Sequence, residues 1–251
     1  MNDWIKMGET LKAMLRLRTE PIGYRKFEKE EELHQLTNVF RFDHAYTFCQ
    51  AIFMARVVGK TIGVTRDKKL IKRCSQFHGL YNATEQDMTD ESKILSKTWL
   101  GTPAEAFVQL KECPRIPAGE AVALSPLTRG AFEPEVILVY GNPAQIMFIM
   151  NGLQKEKHQR FQFYFVGEGS CTDHLAQCYV SKEPAFTVPC YGERSLGQVA
   201  DDEVVIALPP EAVERAIAGM EKLWRFFRYP VTPIGGITDP LPAFAAVYGK
   251  K

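Results

Sequence analysis

The chain lacks the features that would place it at once in several large classes. No apolar run reaches the ~18–20 residues that a membrane-spanning helix needs. Residues 1–20 hold no uninterrupted apolar stretch, because Asp3, Lys6, Glu9, Lys12, Arg16 and Arg18 punctuate them, so a secretory leader is not expected. Neither sign of charge dominates: 31 Lys and Arg face 30 Asp and Glu, for a net charge of +1. That gives no broad basic field for nucleic acid or an anionic membrane surface. There is no Cys-x-x-Cys pair, no zinc-finger spacing and no ferredoxin run. The glycines form neither a Walker loop nor a dinucleotide fingerprint. The expected location is cytoplasmic. There the six cysteines stay reduced and are candidate ligands or nucleophiles rather than bridges.

What is present is a globular composition, 45% hydrophobic and 24% charged over 251 residues. A chain of this length buries a sizeable core without disulfide staples. The expected organisation is one compact domain over 1–228, with 20–118 and 119–228 as candidate halves. A Pro/Gly-rich strap or tail over 229–251 is the expected dock for a second copy or a partner subunit.

Periodicity predicts an amphipathic helix through Trp4, Met7, Leu11, Met14 and Leu15, capped at Asn2 or Asp3 and ended by Pro21. Strands are predicted at Ile22–Phe27, Ala121–Leu124, Val136–Tyr140, Phe161–Val166 and Val204–Leu208, while Thr61–Val64 and Leu70–Ile71 are short apolar pieces. Helices are predicted over Tyr46–Val58, Thr84–Lys97, Pro103–Glu112, Pro143–Leu153, Thr172–Val180 and from Pro209–Pro210 onward. The fold class is α/β (or α+β), a mixed sheet flanked by helices, with parallel pairing expected where strands and helices alternate after residue 120. Cys49-Gln50 and Ala144-Gln145 both open apolar helical runs, and cysteines follow Gln50 and Gln145 after 24 and 26 residues. This echo suggests two strand–helix–strand units about a pseudo-twofold axis, with Cys74 and Cys171 near one cleft.

Three places could carry chemistry. Gly141-Asn142-Pro143 ends a strand and starts a helix, and Asn142 and Gln145 there could meet an anionic or polar ligand. The plainer reading is a well-capped turn. Gly167-Glu168-Gly169-Ser170-Cys171-Thr172-Asp173-His174 puts Cys171 near a helix start, where a thiolate is stabilised. In Cys190-Tyr191-Gly192-Glu193-Arg194, Arg194 could grip a carboxylate and Glu193 could act as acid or base. A surface turn is the alternative. The basic run Arg66–Arg73 reads as a solvated face, with a phosphate patch as its other reading.

The ordered set of short motifs resembles a prokaryotic family known as domain of unknown function 169. The matching pieces are Leu15–Ile22, Phe48-Cys49-Gln50, Ala55-Arg56, Gly59-Lys60, Cys74, Gly79-Leu80 and Glu133–Val136. Gly141–Gln145, Ser170-Cys171, Pro189–Arg194 and Asp202-Glu203 complete the set. It covers about residues 10–225. The chain departs from the family around Cys74, where Cys-Pro-x-Gly is expected and Cys74-Ser75-Gln76-Phe77-His78-Gly79 stands. The resemblance brings no settled activity. It does imply that Cys49, Cys74, Cys171 and Cys190 form a ligand set, while Cys113 and Cys178 are incidental.

Thiolates favour an iron–sulfur cluster, such as a 4Fe-4S cluster, or zinc. The leading expectation is therefore a metal-dependent oxidoreductase or lyase acting on a small polar or carboxylate-bearing molecule. Its catalytic groups would be Glu193, His174 and Arg194, and its substrate-binding groups Asn142, Gln145 and Arg194. The alternatives are a non-catalytic small-molecule-binding or accessory module with structural cysteines, and thiol chemistry at Cys171 or Cys190.

Overall fold

A computed structural model describes residues 3–67 and 69–231. The strands are β1 (Ile22–Phe27), β2 (Val39–Phe40), β3 (Thr61–Thr65), β4 (Ala121–Pro126), β5 (Val136–Gly141), β6 (Ala185–Thr187) and β7 (Val204–Leu208). The α-helices are α1 (Trp4–Leu15), α2 (Glu30–His34), α3 (Phe48–Arg56), α4 (Lys72–Phe77), α5 (Glu85–Leu95), α6 (Pro103–Glu112), α7 (Pro143–Glu156), α8 (Gln177–Ser181), α9 (Tyr191–Gly197) and α10 (Pro210–Leu223). A π-helical turn, Thr172–Ala176, leads into α8.

The class is mixed α/β, with one seven-stranded sheet in the order β2-β3-β4-β1-β5-β7-β6. Parallel pairing occurs at β2–β3 alone among the described strands; every other neighbour is antiparallel. The parallel pairing expected after residue 120 is thus overturned. β5 and β6 do run the same way, but β7 lies between them. β1 is inserted between β4 and β5, so one sheet joins the two candidate halves.

Alternation along the strands divides the core. In β5, Val136, Leu138 and Tyr140 face one layer with Phe48, Ile52 and Leu175. Ile137 and Val139 face the other, under α1, α7 and α10. α7 and α10 touch at Gly152 and Gly219, where a Cβ on Gly219 would lie 2.0 Å from the Gly152 carbonyl oxygen. Only glycine permits that approach, which closes the second layer. α5 and α6 form a smaller cluster around Phe77, Leu95 and Leu110.

Two further expectations change. α1 ends at Leu15, with Arg16 left-handed at φ 50°, five residues before Pro21. Phe161–Val166 forms no strand. Its aromatic alternation is real, but it serves packing: Phe163 and Phe165 lie against Phe186 of edge strand β6, at ring-centroid distances of 5.5 and 6.4 Å. The internal echo has a local cause. Thr47–Gln50 and Asn142–Gln145 are both capping boxes. The strands around them do not match: α3 joins adjacent parallel strands, whereas the chain after α7 reaches β6 beyond β7. Of the expected C-terminal strap, Tyr229 to Val231 are described, and 232–251 lie outside the described residues.

Candidate functional site

Four helical starts converge on one side of the sheet. Cys49 is the second residue of α3 and Cys74 the third of α4. Cys171 immediately precedes the π-helical turn, and Cys190 immediately precedes α9. All four line one cavity of about 330 Å³. Cys113 and Cys178 do not line it. Backbone contacts hold the group together: the Phe48 N–H donates to Cys74 Sγ at 3.4 Å, and the Cys190 N–H donates to Ser170 Oγ at 2.9 Å.

Burial pushes the Cys49 and Cys171 thiols well above their ordinary range and Cys74 up to about 11. Nearby Glu193 and the other cysteines add to the rise at Cys49 and Cys171. Desolvation therefore outweighs the helix start at Cys171, and the thiolate expected there is not favoured. A soft cation among the sulfurs would reverse this balance.

The wall also carries groups outside the expected catalytic and substrate-binding set. Arg73 pairs with Glu168 and lies 3.6 Å from Glu91. Gln109 donates to Glu168 at 2.9 Å. His78 is fully buried, stacked on Phe48 at 3.8 Å between centroids. Its Nδ1 lies 2.7 Å from the Cys74 carbonyl oxygen, which can only accept. Nδ1 therefore carries the proton and Nε2 keeps its lone pair, with no partner. Burial pushes His78 down to about 3, so it is neutral. Trp99 and Tyr191, both exposed, line the cavity as well, their rings 6.0 Å apart. The sequence signals for them were the basic run for Arg73, the Gly-rich stretch for Glu168 and, for His78, a histidine that is a possible metal ligand.

Beside the cysteines lies a buried polar chain. His174 Nε2 meets Glu193 Oε1 at 2.8 Å, and the Tyr140 hydroxyl donates to the same oxygen at 3.3 Å. His174 Nδ1 and Glu193 Oε2 are buried without partners. The predicted pair is thus brought together. Arg194 is not: it donates to the Ala200 carbonyl at 2.5 Å and the Glu203 carbonyl at 3.4 Å, clamping a turn outside the cavity. Arg56, 1% exposed, donates to Glu203 at 2.9 Å and lies 4.5 Å from the centre of the Tyr140 ring. The motif pair Arg56 and Glu203 therefore anchors α3 to the turn after α9.

Asn142 and Gln145 lie away from this cavity. Asn142 Oδ1 accepts from the Gln145 N–H at 3.0 Å, and Gln145 Oε1 accepts from the Asn142 N–H at 2.6 Å. Gln145 Nε2 donates to the Leu15 carbonyl at 2.7 Å, and Asn142 Nδ2 donates to the Tyr229 hydroxyl at 2.8 Å. The side chains serve the cap and the end of α1.

These features define a mixed α/β protein with a cysteine-lined cavity on one face of its sheet. The chain belongs to the family described as uncharacterised ArCR, domain of unknown function 169, whose model matches residues 10–219. An uncharacterised protein of Methanocaldococcus jannaschii is 29% identical over 184 residues, covering 71% of this chain and 78% of that protein. No solved structure matches the chain. Among the described residues, no helix is long and apolar enough to cross a membrane.

Proposed function

We propose that this chain is an iron–sulfur protein whose cluster lies among Cys49, Cys74, Cys171 and Cys190, and that the same cavity admits a small polar or carboxylate-bearing substrate. One observation supports the reading above others. Four cysteines scattered from residue 49 to residue 190 line a single cavity, and the two remaining cysteines do not.

The donor set fits the group. Four thiols are soft ligands, and the four helical starts that present them offer partial positive charge to an anionic cluster. Among the described residues, no three His, Cys, Asp or Glu side chains approach closely enough to hold a single metal ion. A bound cluster would supply electron transfer or, if only three of the cysteines ligate it, Lewis acidity at the iron left without a cysteine.

The chain's own residues would do the rest. Arg73 offers a guanidinium for a carboxylate. His174 and Glu193 hold a proton between them, with Nδ1 and Oε2 still available. Trp99 and Tyr191 flank the ligand with flat apolar surface. The reaction class that fits is an oxidoreductase or a lyase, in a reducing cytoplasm that keeps the thiols free.

Purification without oxygen, followed by a visible spectrum and iron and sulfide analysis, tests this. The expected result is brown protein with matching iron and sulfide. Colourless protein that reconstitution leaves unchanged would overturn it and favour a ligand-binding module with packing cysteines.

A further inference from the structure

A second region has the opposite electrostatic character. Two adjoining cavities of about 250 and 110 Å³ share Tyr164, Asp173 and Gln177 in their walls. The larger adds Glu112, Gln109 and Phe165; the smaller adds Glu183, Phe163 and Phe186. Neither is lined by Lys, Arg or His. The walls therefore combine three carboxylates with four aromatic rings and no counter-cation.

Asp173 sits where the two spaces meet. It belongs to the π-helical turn, a distortion often found at functional sites. The residue is 6% exposed. Its Oδ2 accepts the Val166 N–H at 3.2 Å. Among the described residues no ion pair reaches it, in contrast with Glu168, which Arg73 holds.

The aromatic rings have an unusual exposure. Tyr164 is 71% and Phe165 46% exposed, on a segment that pairs with no strand. Gln109 uses its amide N–H to hold Glu168 and keeps its carbonyl oxygen as an acceptor. A carboxylate, amide oxygens and ring faces together match a group that is cationic, donates several hydrogen bonds and tolerates apolar contact.

We propose that these joined cavities bind an organic ammonium group, a primary amine on a short carbon chain, with Asp173 as its charge partner and Tyr164 and Phe165 against its carbon skeleton. A bare metal ion is a poorer occupant, since no three carboxylate, thiol or imidazole groups among the described residues are close enough to hold one. These cavities share no lining residue with the cysteine cavity.

The test is saturation-transfer NMR on the full chain with butylammonium chloride, compared with 1-butanol and butyrate. Butylammonium is expected to receive saturation at millimolar concentration while butyrate receives none and 1-butanol binds at least tenfold more weakly. Asp173→Asn, which keeps an acceptor for the Val166 N–H, is expected to weaken butylammonium at least tenfold. Tyr164→Ala, a change at an exposed side chain, is expected to weaken it severalfold with the fold intact. Equal binding of butylammonium and 1-butanol would overturn the proposal. So would unchanged binding in Tyr164→Ala and Asp173→Asn, or no butylammonium binding to the wild-type chain.

Discussion

Two helix starts in this chain carry the same cap and lead to different ends. Thr47 and Gln50 close a capping box at the start of α3, and Asn142 and Gln145 close one at the start of α7. At α7, the side chains that form the box also reach outward to Leu15, Arg16 and Tyr229. At α3, the box encloses Cys49, and the surroundings hold groups left without partners: His78 Nε2, His174 Nδ1 and Glu193 Oε2. The cap itself therefore says nothing about binding. The difference lies in whether nearby buried polar groups are satisfied by the fold or left over for something else.

The largest expected effect comes from the anchor behind the cysteine cavity. Glu203→Ala strands the buried Arg56 guanidinium, and loss of one partner from a buried pair costs about 3–5 kcal/mol. Denaturant unfolding measures it. The same variant is expected to loosen α9 against α3 and to lower any metal retained by Cys49 and Cys190. An unfolding midpoint equal to wild type would show that the pair is not the anchor.

A smaller effect is expected on the capped side. Gln145→Ala removes one half of the box and the donor to the Leu15 carbonyl, at about 1–2 kcal/mol. Iron content and ligand binding are expected to stay at wild-type levels. A selective loss of either, with stability unchanged, would reverse the contrast between the two helix starts.

The smallest effect concerns a carboxylate that the fold satisfies fully. Asp87 accepts from the Thr84 N–H at 2.8 Å and from Tyr81 at 2.9 Å, and pairs with Lys72 at 2.5 Å. The hydrogen bond from Lys72 and those from Thr84 hold its carboxyl well below the usual range. Its contribution is thus present above the unfolded-state value and lost as pH falls through the folded one. Asp87→Asn is expected to cost about 1 kcal/mol at neutral pH, a typical cap contribution, with the difference shrinking in acid. Melting temperatures from pH 7 down to pH 3 check the sign.

Much of the fold was legible because its signals are local. Pro103–Glu112 has Thr102 before it and Pro103 in the first turn, and Val204–Leu208 is a short apolar run ahead of two prolines; both elements form over the expected residues. Pairing was less legible, because strand direction depends on how the chain returns, and nothing local in Val136–Tyr140 says that β1 and β7 flank it. Phe161–Val166 misled for a related reason: alternating aromatics pack on an edge strand as well as they join a sheet. At the site, motif order selected the four cysteines that share a cavity. It placed Arg73 only in a basic run, Glu168 only in a Gly-rich stretch and His78 only as a possible metal ligand, because their roles come from what folds against them. It also favoured Arg194, whose donors are spent on a turn.

The account rests on four of six cysteines acting as one set. The direct measurement is iron and sulfide content after anaerobic purification in six single Cys→Ser variants. Cys49, Cys74, Cys171 and Cys190 are each expected to lose most of the iron and the visible absorbance, whereas Cys113→Ser and Cys178→Ser are expected to keep both. Equal iron in all six variants, or loss confined to Cys113→Ser or Cys178→Ser, would contradict the account.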